Sequence, residues 1–252
     1  MTVRATANRL MPDLTPAQSI TILARALWRE GYDDHIAGHI TVNCGDGTLL
    51  CNPHYLSWTE FGASDVLRID LDGRVIEGNW PAPLGIPLHL ALHRARPDVH
   101  VAMHSHPRFG TIWADMRELP LIYDQSSSLG GGKLVLVDEY PGAVNAISAA
   151  DGAIAAMGDA DMALLAGHGV FVTGSTVRAV HQRAVALEQR SRAAWMVRAA
   201  GSNATTAVSD AWLEKMQRSD GNAYAGFWEA AVRQALRDEP TLLDEAGPGS
   251  PG

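Results

Sequence analysis

Eight of the ten histidines in this 252-residue sequence lie between His35 and His106, and three groups have spacings that could do chemistry. The first is His104-Ser105-His106. In a strand, residues i and i+2 point to the same face, about 7 Å apart at their Cα atoms, so both imidazoles could chelate one metal ion. Such a pair needs a third ligand from elsewhere. Neutral imidazole suits zinc, iron, manganese, cobalt or copper, so the pair alone does not choose a metal. The plain alternative is two partly exposed histidines at a strand end. The second group is Gly167-His168-Gly169, where flanking glycines let the backbone approach another group closely. His168 is a candidate third ligand, against the simpler reading of a histidine in a tight turn. The third is His89 and His93, one helical turn apart and on one face. Leu90 stands where a metalloprotease helix carries its Glu base. The expectation is one packing histidine and one bonded to backbone, with His89 also a candidate substrate contact. Gly130-Gly131-Gly132-Lys133 is neither a P-loop nor a dinucleotide fingerprint, and Ser126-Ser127-Ser128 lacks the context of a nucleophile elbow.

These groups need elements to position them. Thr15-Pro16-Ala17-Gln18 predicts a capped helix start, with Gly31 as its stop. Strands are expected over 35–44 and 48–51 around Asp46-Gly47, and over 66–71 and 74–77 around Asp72-Gly73. A helix from Ile86 or Pro87 to Arg96 follows, then a buried strand over 99–105 that carries the first histidine pair. Further on, the pattern predicts a helix from Pro107 to about Met116, a strand over 134–137 and a helix over 143–157. Strands over 162–165 and 170–172 flank His168, and helices follow over 176–199 and 210–237. The expected organisation is one mixed α/β domain over 1–238. The Gly/Pro-rich stretch 239–252 is expected to be a disordered tail.

Charge and composition narrow the function. With 28 acidic against 20 basic side chains the formal charge is −8. No Lys/Arg stripe is available for phosphates, so neither a nucleic-acid nor a membrane partner is expected. No window approaches the ~18 consecutive apolar residues of a membrane span, and residues 1–13 lack the features of a secretory signal. Cys44 and Cys51 are the only cysteines. A two-residue Asp46-Gly47 turn sets Cys44 opposite Leu49, so the two sulfurs do not meet. That points to reduced thiols and a cytoplasmic protein.

A set of ordered anchors resembles the class II aldolase/adducin family over nearly the whole body of the chain. They are Gly38-His39-Ile40-Thr41, Asn52-Pro53, Ser64-Asp65-Val66, Asp70-Leu71-Asp72-Gly73, His89, Arg96-Pro97-Asp98-Val99, Met103-His104-Ser105-His106, Gly167-His168-Gly169-Val170 and Gly174-Ser175. The resemblance implies a three-layer α/β/α fold with a central mixed, largely antiparallel sheet. It implies a homo-oligomer, a tetramer or larger, with active sites near subunit interfaces. Tyr123, Tyr224 and Trp228 are candidate contributors from a neighbouring subunit. The family's metal-binding histidines fall on His104, His106 and His168, which implies one divalent ion per subunit, zinc ahead of manganese, cobalt or iron. Gly38 and His89 fall among substrate-binding positions.

Departures from the aldolase pattern bear on the substrate. Sugar-phosphate aldolases of the family carry a Glu, as metal ligand and acid/base, where this chain has Gly85. The Asn of their first glycine motif is His39 here, and their Ser-Ser pair is Pro83-Leu84. With the carboxylate and the phosphate cradle gone, sugar-phosphate chemistry is not expected. The segment His35–Thr41 looks more like the branch that decarboxylates hydroxylated aromatic acids, such as dihydroxyphthalate and dihydroxycumate. A metal-chelated phenolate or catecholate provides an electron sink beside the departing CO₂, leaving one proton to be supplied. His39 is the expected proton donor, since a histidine can be tuned near neutral pH. A structural histidine bonding the loop is the plain alternative for it, and His35 and His54 are weaker candidates. The substrate is expected to be a small hydroxyaryl or hydroxy-carboxylate acid. Competing readings are an aldolase for an unphosphorylated substrate, an Fe(II) oxygenase like those of aminocoumarin pathways, and a non-catalytic adducin-like module.

Overall fold

The computed structural model describes residues 10–138, 147–201, 207–215 and 226–244. The first helix, α1 (Pro16–Arg29), starts as its sequence dictates. Thr15 Oγ1 accepts from the Gln18 N–H at 3.2 Å and Gln18 Oε1 accepts from the Thr15 N–H at 2.9 Å, which satisfies two otherwise orphaned donors. Gly31 ends the segment at φ +93°.

The strands follow as β1 (His39–Asn43), β2 (Thr48–Cys51), β3 (Leu67–Asp70) and β4 (Val75–Glu77). After helix α2 (Ile86–Ala95) come β5 (Val101–Ser105), helix α3 (Arg108–Met116), β6 (Leu134–Val137), helix α4 (Ile147–Met157), β7 (Met162–Leu165) and β8 (Gly169–Gly174). The long helix α5 (Val177–Ala199) and the terminal helix α6 (Phe227–Asp238) complete the order. One eight-stranded sheet runs β4-β3-β2-β1-β5-β8-β7-β6. Every pair is antiparallel except β6 with β7.

Helices cover both faces. On one, α1, α3, α5 and α6 pack Leu23, Trp113, Leu187 and Val232 onto Ile40, Val42, Val101, Met103 and Val172. On the other, α2 and α4 pack Leu92 and Ile154 onto Ala102, Leu165 and Phe171, while Ile86 and Leu90 meet Leu49, Leu67 and Ile69. The expected three-layer α/β/α architecture with a mixed, largely antiparallel sheet is the one observed. No helix among the described residues is long and apolar enough to cross a membrane.

Several local expectations need correction. The first strand begins at His39 rather than His35, because residues 33–37 turn and His35 sits at φ +51°. The β1–β2 connection uses three residues, with Gly45 and Gly47 at φ +77° and +86°, so Cys44 faces Thr48 rather than Leu49. Both cysteines are free, as expected. The helix expected over 210–237 is not one element. Residues 210–215 are helical, and α6 begins only after Gly226, whose φ of +118° breaks the helical path. Residues 216–225, with Tyr224, lie outside the described residues, as do 143–146 of the helix expected over 143–157.

The fold also continues past residue 238. Arg25 Nε pairs with Glu239 at 2.9 Å, Gln18 Nε2 donates to the Leu243 carbonyl and Leu242 is buried, so 239–244 clasp α1. The remainder, 245–252, lies outside the described residues. Removing the cap of α1 tests the local argument. Thr15→Ala should lower the unfolding free energy by about 1 kcal/mol, read as a shift of the urea midpoint at unchanged slope.

Candidate metal centre

Strand pairing sets His39 directly opposite His104 on the neighbouring strand. The β7–β8 hairpin brings the third imidazole to them: Gly167, at φ +67°, makes the turn, and His168 stands between it and Gly169. Gly169 has a different reason to be glycine. A Cβ there would lie 2.5 Å from His106 Cδ2 and 2.6 Å from the Ser105 carbonyl oxygen. The two glycines thus do what their type suggested, one bending the chain and one permitting contact.

The imidazoles of His104, His106 and His168 converge through Nε2. His168 Nε2 lies 3.0 Å from His104 Nε2 and 3.0 Å from His106 Nε2. The other nitrogens of the first two rings are committed. His104 Nδ1 donates to the Val170 carbonyl at 2.9 Å and His106 Nδ1 to Asp34 Oδ2 at 2.5 Å. With Nδ1 as the donor, the tautomers of His104 and His106 leave Nε2 as the nitrogen with a lone pair to turn inward. A single Nε2–H on His168 could satisfy only one of them, whereas one cation satisfies all three. The donor set therefore fits a divalent metal ion whose ligands are imidazoles oriented by a carbonyl and a carboxylate behind them. Burial and the neighbouring imidazoles hold His104 well below the usual histidine range and His168 down at about 4, so both are neutral at physiological pH.

His39 lies beside this cluster, its ring centroid 5.4 Å from that of His104. Burial first, and the nearby imidazoles after it, push its pKa down to about 3. It is not tuned near neutrality as the sequence suggested, and it enters the site as a neutral imidazole. Its Nδ1 is buried without a partner among the described residues. The ring fills the space over Gly85, where a Cβ would come within 2.1 Å of His39 Cε1 and 2.5 Å of Nδ1. Gly85 has φ −83°, open to any residue, and as the N-cap of α2 it offers no side-chain cap. Contact with His39, not backbone conformation, is what calls for glycine there.

His93 has the expected backbone partner, at Val99, but His89 is more than a packing residue. Both rings bond the Thr41 hydroxyl, His89 Nδ1 at 2.8 Å and His93 Nε2 at 2.9 Å. One hydroxyl donates once, so one ring donates to Thr41 and the other accepts from it. His89 Nε2 remains buried without a partner among the described residues, its ring 5.9 Å from that of His39. Gly38 serves the scaffold: its carbonyl accepts from Asn52 Nδ2 and Trp58 Nε1, and a Cβ would lie 2.4 Å from the Trp58 indole. His54 lies near enough to influence the charge on His39, whereas His35 is exposed in the turn. Tyr123 is half-buried against the α3/α5 core and Trp228 is buried within the same core.

Sequence reasoning missed Asp34 and Thr41. Asp34 also accepts the His106 backbone N–H at 3.0 Å, tying the loop after α1 to the end of β5. Its only signal was an acidic pair, Asp33-Asp34, just past the glycine stop of a helix. Thr41 was quoted as an anchor, but its two partners lie 48 and 52 positions away.

Comparison with known proteins shows the family and the fold. Residues 18–195 match the model of the class II aldolase and adducin N-terminal domain. The chain is 32% identical over 202 residues to 3,4-dihydroxyphthalate decarboxylase of Arthrobacter keyseri, covering 73% of this chain and 79% of the relative. It is 30% identical over 180 residues to 5-methylthioribulose-1-phosphate/5-deoxyribulose-1-phosphate aldolase of Rhodospirillum rubrum, covering 68% and 76%. Among solved structures, L-fuculose 1-phosphate aldolase of Glaciozyma antarctica superposes with TM-score 0.76 at 20% identity, covering 93% of this chain and 98% of the other.

Two predictions follow from the geometry. Gly85→Ala should displace the His39 ring, and its effect on turnover should vanish in a His39→Ala background. A double-mutant cycle on kcat/KM measures this coupling, and additive losses would contradict it. The second concerns pH. His39, His89, His93, His104 and His181 are buried with pKa values below the ordinary one. Below pH ~6.5 the unfolded chain binds protons that the folded metal-free protein refuses, so stability present above that pH is lost as pH falls toward 4. The slope is up to about 1.4 kcal/mol per pH unit for each such ring. Urea midpoints of metal-free protein between pH 7.5 and 5 should fall steadily, and a flat series would contradict the burial argument.

Proposed function

The chain belongs to the class II aldolase and adducin family, and from that premise we propose that it is a divalent-metal-dependent lyase that decarboxylates a hydroxylated aromatic acid without oxygen. The observation that carries this reading is the convergence of three Nε2 atoms beside a neutral histidine lodged over Gly85. The similarity to a dihydroxyphthalate decarboxylase supports the same direction.

On this reading His104, His106 and His168 hold the ion, with zinc ahead of manganese, cobalt or iron. When bound, it supplies Lewis acidity that stabilises negative charge on substrate oxygens as CO₂ leaves. Asp34 fixes the His106 ring in the tautomer that leaves Nε2 free to ligate. His39, neutral at rest, accepts the proton of a substrate hydroxyl at the ring nitrogen not lodged over Gly85. It returns that proton to the ring carbon from which CO₂ departs, so one group acts first as base and then as acid. His89, pinned through Nδ1 to Thr41, keeps Nε2 available to a substrate polar group. A side chain at position 85 would exclude His39, so a carboxylate there and this imidazole are alternatives.

The similarity to a phosphosugar aldolase favours a second reading, retro-aldol cleavage of an unphosphorylated substrate, which would release an aldehyde and no CO₂. Metal content per chain, compared between wild type and His168→Ala after identical purification, tests the centre. About one divalent ion is expected in the wild type and none in the variant. A wild type that holds no metal and takes none up would overturn the proposal. CO₂ release from 3,4-dihydroxybenzoate or 3,4-dihydroxyphthalate should proceed anaerobically, with kcat lowered at least ~100-fold in His39→Ala.

A further inference from the structure

Three loops meet at His39, and each presents one large apolar side chain to solvent. The first, residues 33–38, leads into β1 and exposes Ile36 at 39%. The second follows β2 and exposes Tyr55 at 62%, and the third precedes α2 and exposes Leu84 at 71%. Their backbones are tied together. Asn52 Nδ2 donates to the carbonyls of Gly38 and Pro53, and its Oδ1 accepts from the Ile40 N–H, linking the first loop to the second. The His54 N–H donates to the Pro81 carbonyl at 2.9 Å, linking the second to the third. Gly85, next to Leu84, lies against the His39 ring.

Tyr55 is held in a conformation that tyrosine does not choose for itself. Its φ is +71°, a left-handed position that favours glycine, and its ring lies 4.3 Å from that of His54 at 36°. Bulky residues held there mark sites where the surroundings impose the conformation. The sequence of the three loops carries acidic and imidazole groups but neither Lys nor Arg, so a phosphate group would find no cation in them.

We propose that Ile36, Tyr55 and Leu84 form an apolar rim that takes the flat aromatic ring of the substrate and presents its chelating oxygens to the histidine centre. The inference rests on the proposed metal centre and adds to it the group that selects aryl over aliphatic acids. Tyr55 supplies the face for offset stacking, Leu84 and Ile36 supply aliphatic edges, and an uncharged ring suits loops without cations.

Benzohydroxamate and acetohydroxamate test this directly, because they share a chelating head and differ by a ring. Calorimetric titration of the metal-loaded wild type should show benzohydroxamate binding on the order of tenfold tighter. In Tyr55→Gly, which relieves the left-handed strain and so should keep or raise the Tm, that advantage should shrink to about twofold or less. Leu84→Ser should give a smaller loss in the same direction. Metal content and acetohydroxamate affinity should stay at the wild-type values in both variants. Equal affinities for the two hydroxamates in the wild type would overturn the rim while leaving the centre standing, as would an advantage that survives in Tyr55→Gly. Failure of both ligands to bind a wild type that retains its metal would overturn the proposed chelation and the rim together.

Discussion

Two imidazole Nε2 atoms that both carry lone pairs repel at 3.0 Å, and here His168 faces two such partners at that distance. Much of the surrounding structure serves to hold this arrangement. His104 is fixed through its strand and through the Val170 carbonyl on the adjacent strand. His106, one residue beyond β5, needs Asp34 from a loop 72 positions away to orient it. His168 needs a hairpin with glycine on each side, because Gly169 must pass within contact of the His106 ring. A cation held by the three nitrogens would convert the repulsion into attraction, and the Nδ1 contacts of His104 and His106 already set those two tautomers for it.

The same constraint extends outward across one face of the sheet. His39, Thr41 and His104 share that face with His89 and His93 from α2, so a polar band interrupts a layer otherwise built from Leu88, Leu92, Ala102 and Phe171. Burying imidazoles this way favours their neutral form, and each ring that lacks a hydrogen-bond partner costs stability. Thr41 offsets part of that cost by serving two rings at once. The helix beneath gives up something as well. An N-cap Ser or Asp at position 85 would stabilise α2, yet no side chain fits beside His39.

How much of this was legible depended on the range of the signal. The capping box of α1, the strand at 134–137 and the histidine pair at the end of β5 are local patterns, and they appear where residue type and spacing place them. The flanking glycines made His168 only a candidate, and it was the family resemblance that assigned it as the third ligand. Asp34 and Thr41 were not legible, because their partners come from distant elements and an Asp in a loop or a Thr in a strand is unremarkable by itself. The seat of His39 over Gly85 is a relation between two positions 46 residues apart, visible in sequence only as two separate departures from a family pattern. The pKa of His39 failed for the same reason: burial, which no spacing reveals, outweighs the carboxylate of Asp34 that would raise it. At the C-terminal end the pattern reads as one helix over 210–237, but the left-handed φ of Gly226 makes it a boundary.

An imidazole instead of a carboxylate beside the centre changes the electrostatics that a substrate meets. Three imidazole ligands would leave the charge of a divalent ion undiminished by any carboxylate ligand from the described residues. Asp34 offsets it only from behind His106, and Coulomb energy falls with each added ångström. A carboxylate at position 85 would cancel one unit of that charge at close range. With His39 there, the missing negative charge is left for the substrate, which favours ligands that bring carboxylate and phenolate oxygens together. On the proposed reading, neutral His39 would face a substrate hydroxyl that a bound cation makes more acidic, and the imidazolium formed by taking that proton would be stabilised by the anion left behind. A hydroxyaryl acid would, on the same proposed reading, meet these demands in one molecule, with two oxygens for the centre, a proton for His39 and a ring for the proposed apolar rim.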